Sequence, residues 1–148
     1  MRTILLMTIP ALLMAAEEKT MTVKRLTPNL YTDDVAACAK FWVDRLHFEK
    51  TAEVPGPGGL AFAALQKGKI EVMYGSYASL ENESSGVAGA FRRGTGFLFI
   101  EVDDLNAAIE AMKGVDFVAP VHKTFYGATE FTVKDPAGHL ITFAHFEK

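Results

Sequence analysis

The sequence predicts an α+β domain built from two tandem βαβββ modules. Three observations carry that prediction. Asp33-Asp34-Val35-Ala36-Ala37 returns 70 residues later as Asp103-Asp104-Leu105-Asn106-Ala107. Ile70-Glu71-Val72 falls against Ile141-Thr142-Phe143 at an offset of 71 residues. Around both matches the order strand, helix, strand, strand, strand reads twice, and a repeated supersecondary unit implies two equivalent modules, each curling a small sheet around what the other presents. The extra residue in the second offset is what a slightly different hairpin turn gives.

The elements follow in order. Met1-Arg2, the apolar run Ile4 to Met14 and Ala15-Ala16 have the basic start, short apolar core and small residues of a secretory signal, with cleavage expected near Ala16. The run is too short for an ordinary membrane-spanning helix. The alternative is that residues 1–20 are an N-terminal extension and translation starts at Met21. Export to a periplasmic or extracellular space follows from the first reading, with no membrane attachment after cleavage; a cytoplasmic protein follows from the second.

The single domain then occupies 21–148, with module one at about 23–75, a linker at about 76–94 and module two at about 95–148. Val23 to Tyr31 alternates as a strand, and Thr32-Asp33-Asp34 supplies a helix N-cap. Val35, Ala39, Trp42 and Leu46 recur at helical spacing, so Asp34 to Leu46 is a helix with that stripe buried. His47-Phe48 closes it and opens a short strand to Glu53. Pro55-Gly56-Pro57-Gly58-Gly59 reads as a loop. Leu60 to Gln66 and Lys69 to Gly75 form a hairpin turning at Lys67-Gly68, and the polar stretch Ser76 to Gly94 holds at most one helical turn.

The second module repeats the plan. Thr95 to Val102 is a strand, Asp103-Asp104 caps a helix with the stripe Leu105, Ala108, Ile109 and Met112, and Gly114 stops it. Val115 to Lys123 gives strand pieces broken by Pro120. The closing hairpin joins Thr129 to Lys134 and His139 to Phe146 through Asp135-Pro136-Ala137-Gly138, in which Asp135 can bond the backbone ahead of it, Pro136 pre-sets φ and Gly138 takes the left-handed conformation.

Composition narrows the function. Hydrophobic residues make up 49% of the 148 and charged ones 22%, enough apolar material for a folded core and no signature of disorder. The net charge of −3 argues against a nucleic-acid partner, and Arg92-Arg93, followed by Gly94 and Gly96, reads as a solvated loop pair. The one cysteine, Cys38, excludes an intrachain disulfide and reads as a buried, inert thiol.

The two modules, the Asp-Asp helix starts, Phe41-Trp42 with Leu46-His47-Phe48, and Asp135-Pro136-Ala137-Gly138 before the last strand resemble the vicinal oxygen chelate superfamily, which includes glyoxalase I, extradiol dioxygenases and bleomycin resistance proteins. The resemblance covers Val23 to Phe146. It implies a curved, half-barrel mixed sheet with helices outside, and a homodimer. Metal-dependent members take one ligand from the first and last strand of each module; laid on this chain, those positions are Thr27, Glu71, Phe97 and Thr142. Only Glu71 ligates a divalent ion well, and a catalytic metal needs about three protein ligands. His47, His122, His139 and His145 do not fall on that face, so no metal and no other cofactor is expected. A site of different geometry, pairing Glu71 with Glu101 or Glu130, stays open from spacing.

By alternation, the face shared with those positions carries Thr27, Asn29 and Tyr31; Glu71 and Met73; Phe97, Phe99 and Glu101; Leu140 and Thr142; and Glu130 with Thr132. Aromatic, soft and acidic groups together suit a pocket for an organic molecule; equally, the aromatic residues could fill the cup as a second core. Glu71 is the best catalytic candidate. Among aromatic neighbours its carboxylate should bond Thr27 or Thr142, meet a cationic ligand, or carry a raised pKa; as a partly solvated strand residue it would do none of these. Three functions follow. The first is metal-independent binding of a small organic molecule, cationic or aromatic, in the cup. The second is a metal-dependent lyase or dioxygenase with a site built around Glu71. The third is an interaction or dimerisation domain without a ligand.

Overall fold

The computed structural model describes residues 21–82 and 86–147; the signal-like stretch lies outside them. Two four-stranded mixed sheets, both open, form the chain. In the first, β1 (Asn29–Thr32), β4 (Ile70–Ser76), β3 (Gly59–Lys67) and β2 (Glu49–Gly56) lie side by side in that order. In the second, β5 (Phe97–Glu101), β8 (Leu140–Phe146), β7 (Ala128–Lys134) and β6 (Phe117–Lys123) repeat the arrangement. Each module's first strand runs parallel to its last, β1 to β4 and β5 to β8, while the remaining neighbours are antiparallel. The duplicated order is the one the repeat predicts.

Helix α1 (Val35–Leu46) begins where the Asp-Asp pair places it, with the Asp34 carboxylate accepting from the Ala37 N–H at 2.9 Å. Its counterpart in module two, α4 (Leu105–Ala111), is capped in the same way by Asp104, which accepts from Ala107 at 3.0 Å. The predicted stripe is buried at Val35, Ala39 and Trp42, with Leu46 packed partly against the core, and Cys38 and Phe41 widen it. α1 ends with His47 in the left-handed region at φ 57°, where the N–H groups of His47 and Phe48 return to the Val43 and Trp42 carbonyls.

Four boundaries differ from the sequence reading. The first strand covers only Asn29–Thr32, not Val23 to Tyr31, because Pro28 has no N–H for the ladder; its carbonyl still accepts from Met73 N at 2.9 Å. The breaker cluster is mostly strand: β2 runs through Pro55 to Gly56 and β3 restarts at Gly59. β2 is a sheet edge, where a proline removes no ladder bond. β6 is likewise one strand across Pro120; it too lies at an edge, and two register shifts absorb the irregularity. The linker holds two short helices, α2 (Tyr77–Glu81) and α3 (Val87–Ala90), rather than one turn.

One apolar core serves both modules. Val35, Trp42, Leu65 and Val72 from module one and Phe131, Val133, Ile141 and Phe143 from module two belong to the same buried cluster, with Ala108 and Met112 from α4 and the residue that follows it. Through this core runs a chain of polar contacts. The Trp42 indole N–H donates to the Tyr74 hydroxyl at 2.9 Å, and Tyr74 donates to Asp135 Oδ2 at 2.6 Å. Asp135 Oδ1 accepts from the N–H groups of Ala137 at 3.0 Å and His139 at 2.8 Å. Burial, followed by the Asp135 charge, pushes the Tyr74 phenol far above its usual range, so it remains a donor.

His139 then ties the first strands together. Its Nδ1 accepts from Gly96 N–H at 2.7 Å, so the ring proton sits on Nε2 and is donated to the Tyr31 carbonyl at 2.8 Å. The absence of a side chain at Gly96 lets this contact close up: a Cβ would lie 2.8 Å from Leu30 Cδ2, which would have to shift, and 3.1 Å from His139 Nδ1.

Tyr74→Phe keeps the ring but strands the Trp42 N–H and one carboxylate oxygen in the core. Urea unfolding should show a loss of at least about 2 kcal/mol; a loss below about 0.5 kcal/mol, the range of a neutral surface change, would contradict this role.

Candidate functional site

The register of the strands decides which side chains share the face opposite the core. In module two, Leu98 and Ile100 stand beside Ile141 and Phe143 on the core side. Phe97 stands beside Leu140, Phe99 beside Thr142 and Glu101 beside Ala144 on the other. The next strand adds Thr132 opposite Thr142 and Glu130 opposite Ala144. In module one the same logic sets Asn29 beside Met73 and Tyr31 beside Gly75, with Glu71 one step down β4.

Glu71 finds its partner in Thr27. The Thr27 hydroxyl donates to Oε1 at 2.9 Å, and Arg25 approaches Oε2 at 3.3 Å, leaving the Glu71 side chain 12% exposed. Of the bonds expected for this carboxylate, the one to Thr27 forms; Thr142 is engaged elsewhere. Thr142 is 2% exposed and shares a hydrogen bond of 2.7 Å with Thr132 across the hairpin.

Other predicted residues disperse. Tyr31 packs on Phe91 at 4.8 Å and Tyr77 at 6.1 Å, with its ring over Gly75, whose Cβ would stand 2.9 Å away. Glu130 accepts from the Tyr126 hydroxyl at 2.5 Å and faces His122 Nε2 at 3.5 Å. That hydrogen bond pushes the Tyr126 phenol upward. Glu101 is exposed at the end of β5, in a cleft with Asp103 and His145. It and Glu130 flank Ala144 from opposite sides, about two strand spacings or roughly 9–10 Å apart. Asn29 is exposed and Met73 half-buried.

Phe97 and Phe99 are the least expected. They are 61% and 49% exposed, so within one chain this face is open along β5 and the two rings do not form a second core, although Thr132, Thr142 and Ala144 on the neighbouring strands are buried. The sequence reading missed the linker cluster, in which Tyr77 and Phe91 cover Tyr31 and the Arg93 guanidinium lies 4.0 Å from the Tyr77 ring centroid. Arg93 also meets Asp33 at 3.5 Å and Glu81 at 3.4 Å. Aromatic residues in a polar linker were the available signal.

The donor set does not fit a resident metal at the family's ligand positions. Thr27 and Thr142 direct their hydroxyls to Glu71 and Thr132, Phe97 has no donor, and Glu71 is committed to Thr27 and Arg25. Among the described residues, no three His, Cys, Asp or Glu side chains gather to hold an ion. Cys38, wholly buried, has its thiol pushed up to about 12 by burial, only partly opposed by its contact with Thr32, so it offers no thiolate nucleophile.

Thr142→Val should leave the Thr132 hydroxyl buried without its partner and cost about 1–3 kcal/mol in chemical unfolding. Replacing both threonines by valine should recover much of that loss, because neither polar group is then stranded. A double variant as unstable as the sum of the singles would show that the hydroxyl pair is not what matters.

Solved structures repeat this architecture. TioX from Micromonospora sp. ML1 aligns with a TM-score of 0.66 at 22% identity, over 84% of this chain and 100% of that one. Lactoylglutathione lyase from Agrobacterium tumefaciens aligns at 0.67 and 16% identity, over 84% of this chain and 95% of that one. A glyoxalase/bleomycin resistance protein/dioxygenase from Nocardioides aligns at 0.63 and 16%, over 86% and 87% of the two chains. At such identities these likenesses speak for the fold alone. A comparison with curated protein sequences finds no match. The match that assigns the family runs over residues 22–143, and by it the chain belongs to the Glyoxalase/Bleomycin resistance protein/Dioxygenase superfamily.

Proposed function

We propose that this protein binds a small organic molecule, aromatic and cationic in character, without a metal, on the open face that carries Phe97 and Phe99 above Thr142. The single observation behind this reading is the state of the family's ligand positions. Three of the four lack a good metal donor and the fourth, Glu71, already accepts from the Thr27 hydroxyl and pairs with Arg25. What remains on the face is aromatic area and acid. Phe97 and Phe99 offer ring surface to a planar group, and the exposed Glu101, with Glu130 behind its bond to Tyr126, favours a positive charge.

The open face also supports a homodimer. Apolar side chains this exposed mark a surface meant to be covered, and a second copy laid across it would close the cup and bury the ligand between chains. The face is then half of a site.

Native mass spectrometry with elemental analysis of protein purified without chelator tests both parts. The expected result is a dimer with no stoichiometric divalent metal. Ethidium, a planar aromatic cation, should bind saturably, and Phe97→Ala should weaken it by roughly fivefold, a loss typical of one aromatic contact. Stoichiometric metal that disappears in Glu71→Ala would overturn the reading in favour of a metal enzyme; a monomer with no affinity for ethidium or any other planar cation would remove it altogether.

A further inference from the structure

A cavity of about 390 Å³ opens between the modules, lined by residues of both. Leu98, Ile100 and Phe143 line it from module two, and Trp42, Leu46 and Val72 from module one. By register, Leu98 and Ile100 face the same way as the core residues Ile141 and Phe143, so most of this space continues the inter-module core; Phe99 and Glu71 also line it, from positions on the other face of their strands. Its volume lies within the range of about 300–1,000 Å³ seen for small-molecule pockets. An apolar space of that size forfeits the dispersion contacts its walls would otherwise make.

The rim has a definite sign. Lys67, Lys69 and Glu71 are its charged residues. Glu71 is balanced by Arg25 at 3.3 Å, which leaves the two lysines as the excess. The Lys67 ammonium is fixed beside the mouth by donating to the Leu46 carbonyl at 2.7 Å, and Lys69 is exposed. Leu26 and Ile70, also lining the cavity, stand 85% and 64% exposed, so the entrance is apolar beneath its positive edge.

We propose that this cavity is a second binding site, for an amphiphilic carboxylate with an unbranched apolar tail of medium length. The tail lies against Trp42, Leu98, Ile100 and Phe143, where no polar group asks for a partner. The carboxylate stays at the rim and accepts from Lys69, whose ammonium has three donors and a flexible stem. A cationic head would meet two lysines, and a neutral one would gain nothing from them. The cavity shares Phe99 with the open face, but the proposal rests on Leu98, Ile100 and Lys69, which the reading of that face does not use.

Trp42 is the only tryptophan and lines the cavity, so its fluorescence reports occupancy directly. Decanoate and decan-1-ol, titrated below their aggregation limits at low salt, are the probes. Decanoate should change the Trp42 signal saturably. Ile100→Phe, which fills the space, should weaken it by at least about tenfold. Lys69→Glu should weaken decanoate by roughly fivefold and leave decan-1-ol unchanged, an effect that fades as salt is raised. The proposal is overturned by a wild-type signal that does not saturate, or by Lys69→Glu affecting acid and alcohol alike. Lys69 is a surface position, so that comparison holds even if Ile100→Phe folds poorly.

Discussion

One buried carboxylate, that of Asp135, sets the relation between the two halves of this protein. It is 5% exposed, and a charge in that position costs several kcal/mol unless its oxygens are satisfied. Three donors satisfy it: the Tyr74 hydroxyl from module one and the backbone N–H groups of Ala137 and His139 from its own turn. The turn is therefore held in shape by the same group that docks it onto the other module. His139, placed by that turn, reaches Gly96 just before β5 and Tyr31 in β1, so both first strands hang on it. Among the described residues no buried side-chain nitrogen or oxygen lacks a partner, and this arrangement is how the most costly of them is accommodated.

The duplication makes the modules alike in backbone and unlike in use. Both have a hairpin before the last strand. That of module one turns through Lys67, Gly68 and Lys69, all exposed, and that of module two turns through Asp135 and His139, both buried. One turn faces solvent with positive charge; the other is the joint. The divergence extends to Glu71 and Thr142, which the sequence repeat sets against each other, although by strand register Thr142, beside Phe99, answers to Met73, beside Asn29. Glu71 is bonded to Thr27 in the segment leading into β1, Thr142 to its hairpin neighbour Thr132. Glu71 and Thr142 thus have different partners, and among the described residues no set of three donors converges on an ion.

Much of the architecture was legible in the sequence because it rests on local rules. Asp34 and Asp104 cap their helices, Gly114 at φ 83° turns the chain away after the second of them, and alternation placed Ile141 and Phe143 in the core with Thr142 facing the other way. Boundaries failed where a proline's meaning depends on its neighbours: Pro55 and Pro120 are tolerated at sheet edges, whereas Pro28 stops β1. Which face of the cup is covered was not legible either. The exposure of Phe97 and Phe99 depends on how the modules pack, a long-range outcome that periodicity does not encode. Nor does it encode the Trp42, Tyr74 and Asp135 chain, whose members lie 32 and 61 residues apart.

For function, the consequence is a division of faces. The core side joins the modules and supplies most of the cavity beside Trp42; the opposite side presents Phe97, Phe99 and Glu101 to solvent. Both depend on the joint at Asp135, since a looser joint would alter the cavity walls and the outward face together. Hydrogen exchange at single amides tests that joint most directly. The account predicts that the N–H groups of Gly96, Ala137 and His139 exchange as slowly as those of Phe131 and Phe143, by global unfolding. Exchange of these three at the rate of the exposed turn at Gly68 would contradict it, and would mean that the modules are held by apolar packing alone.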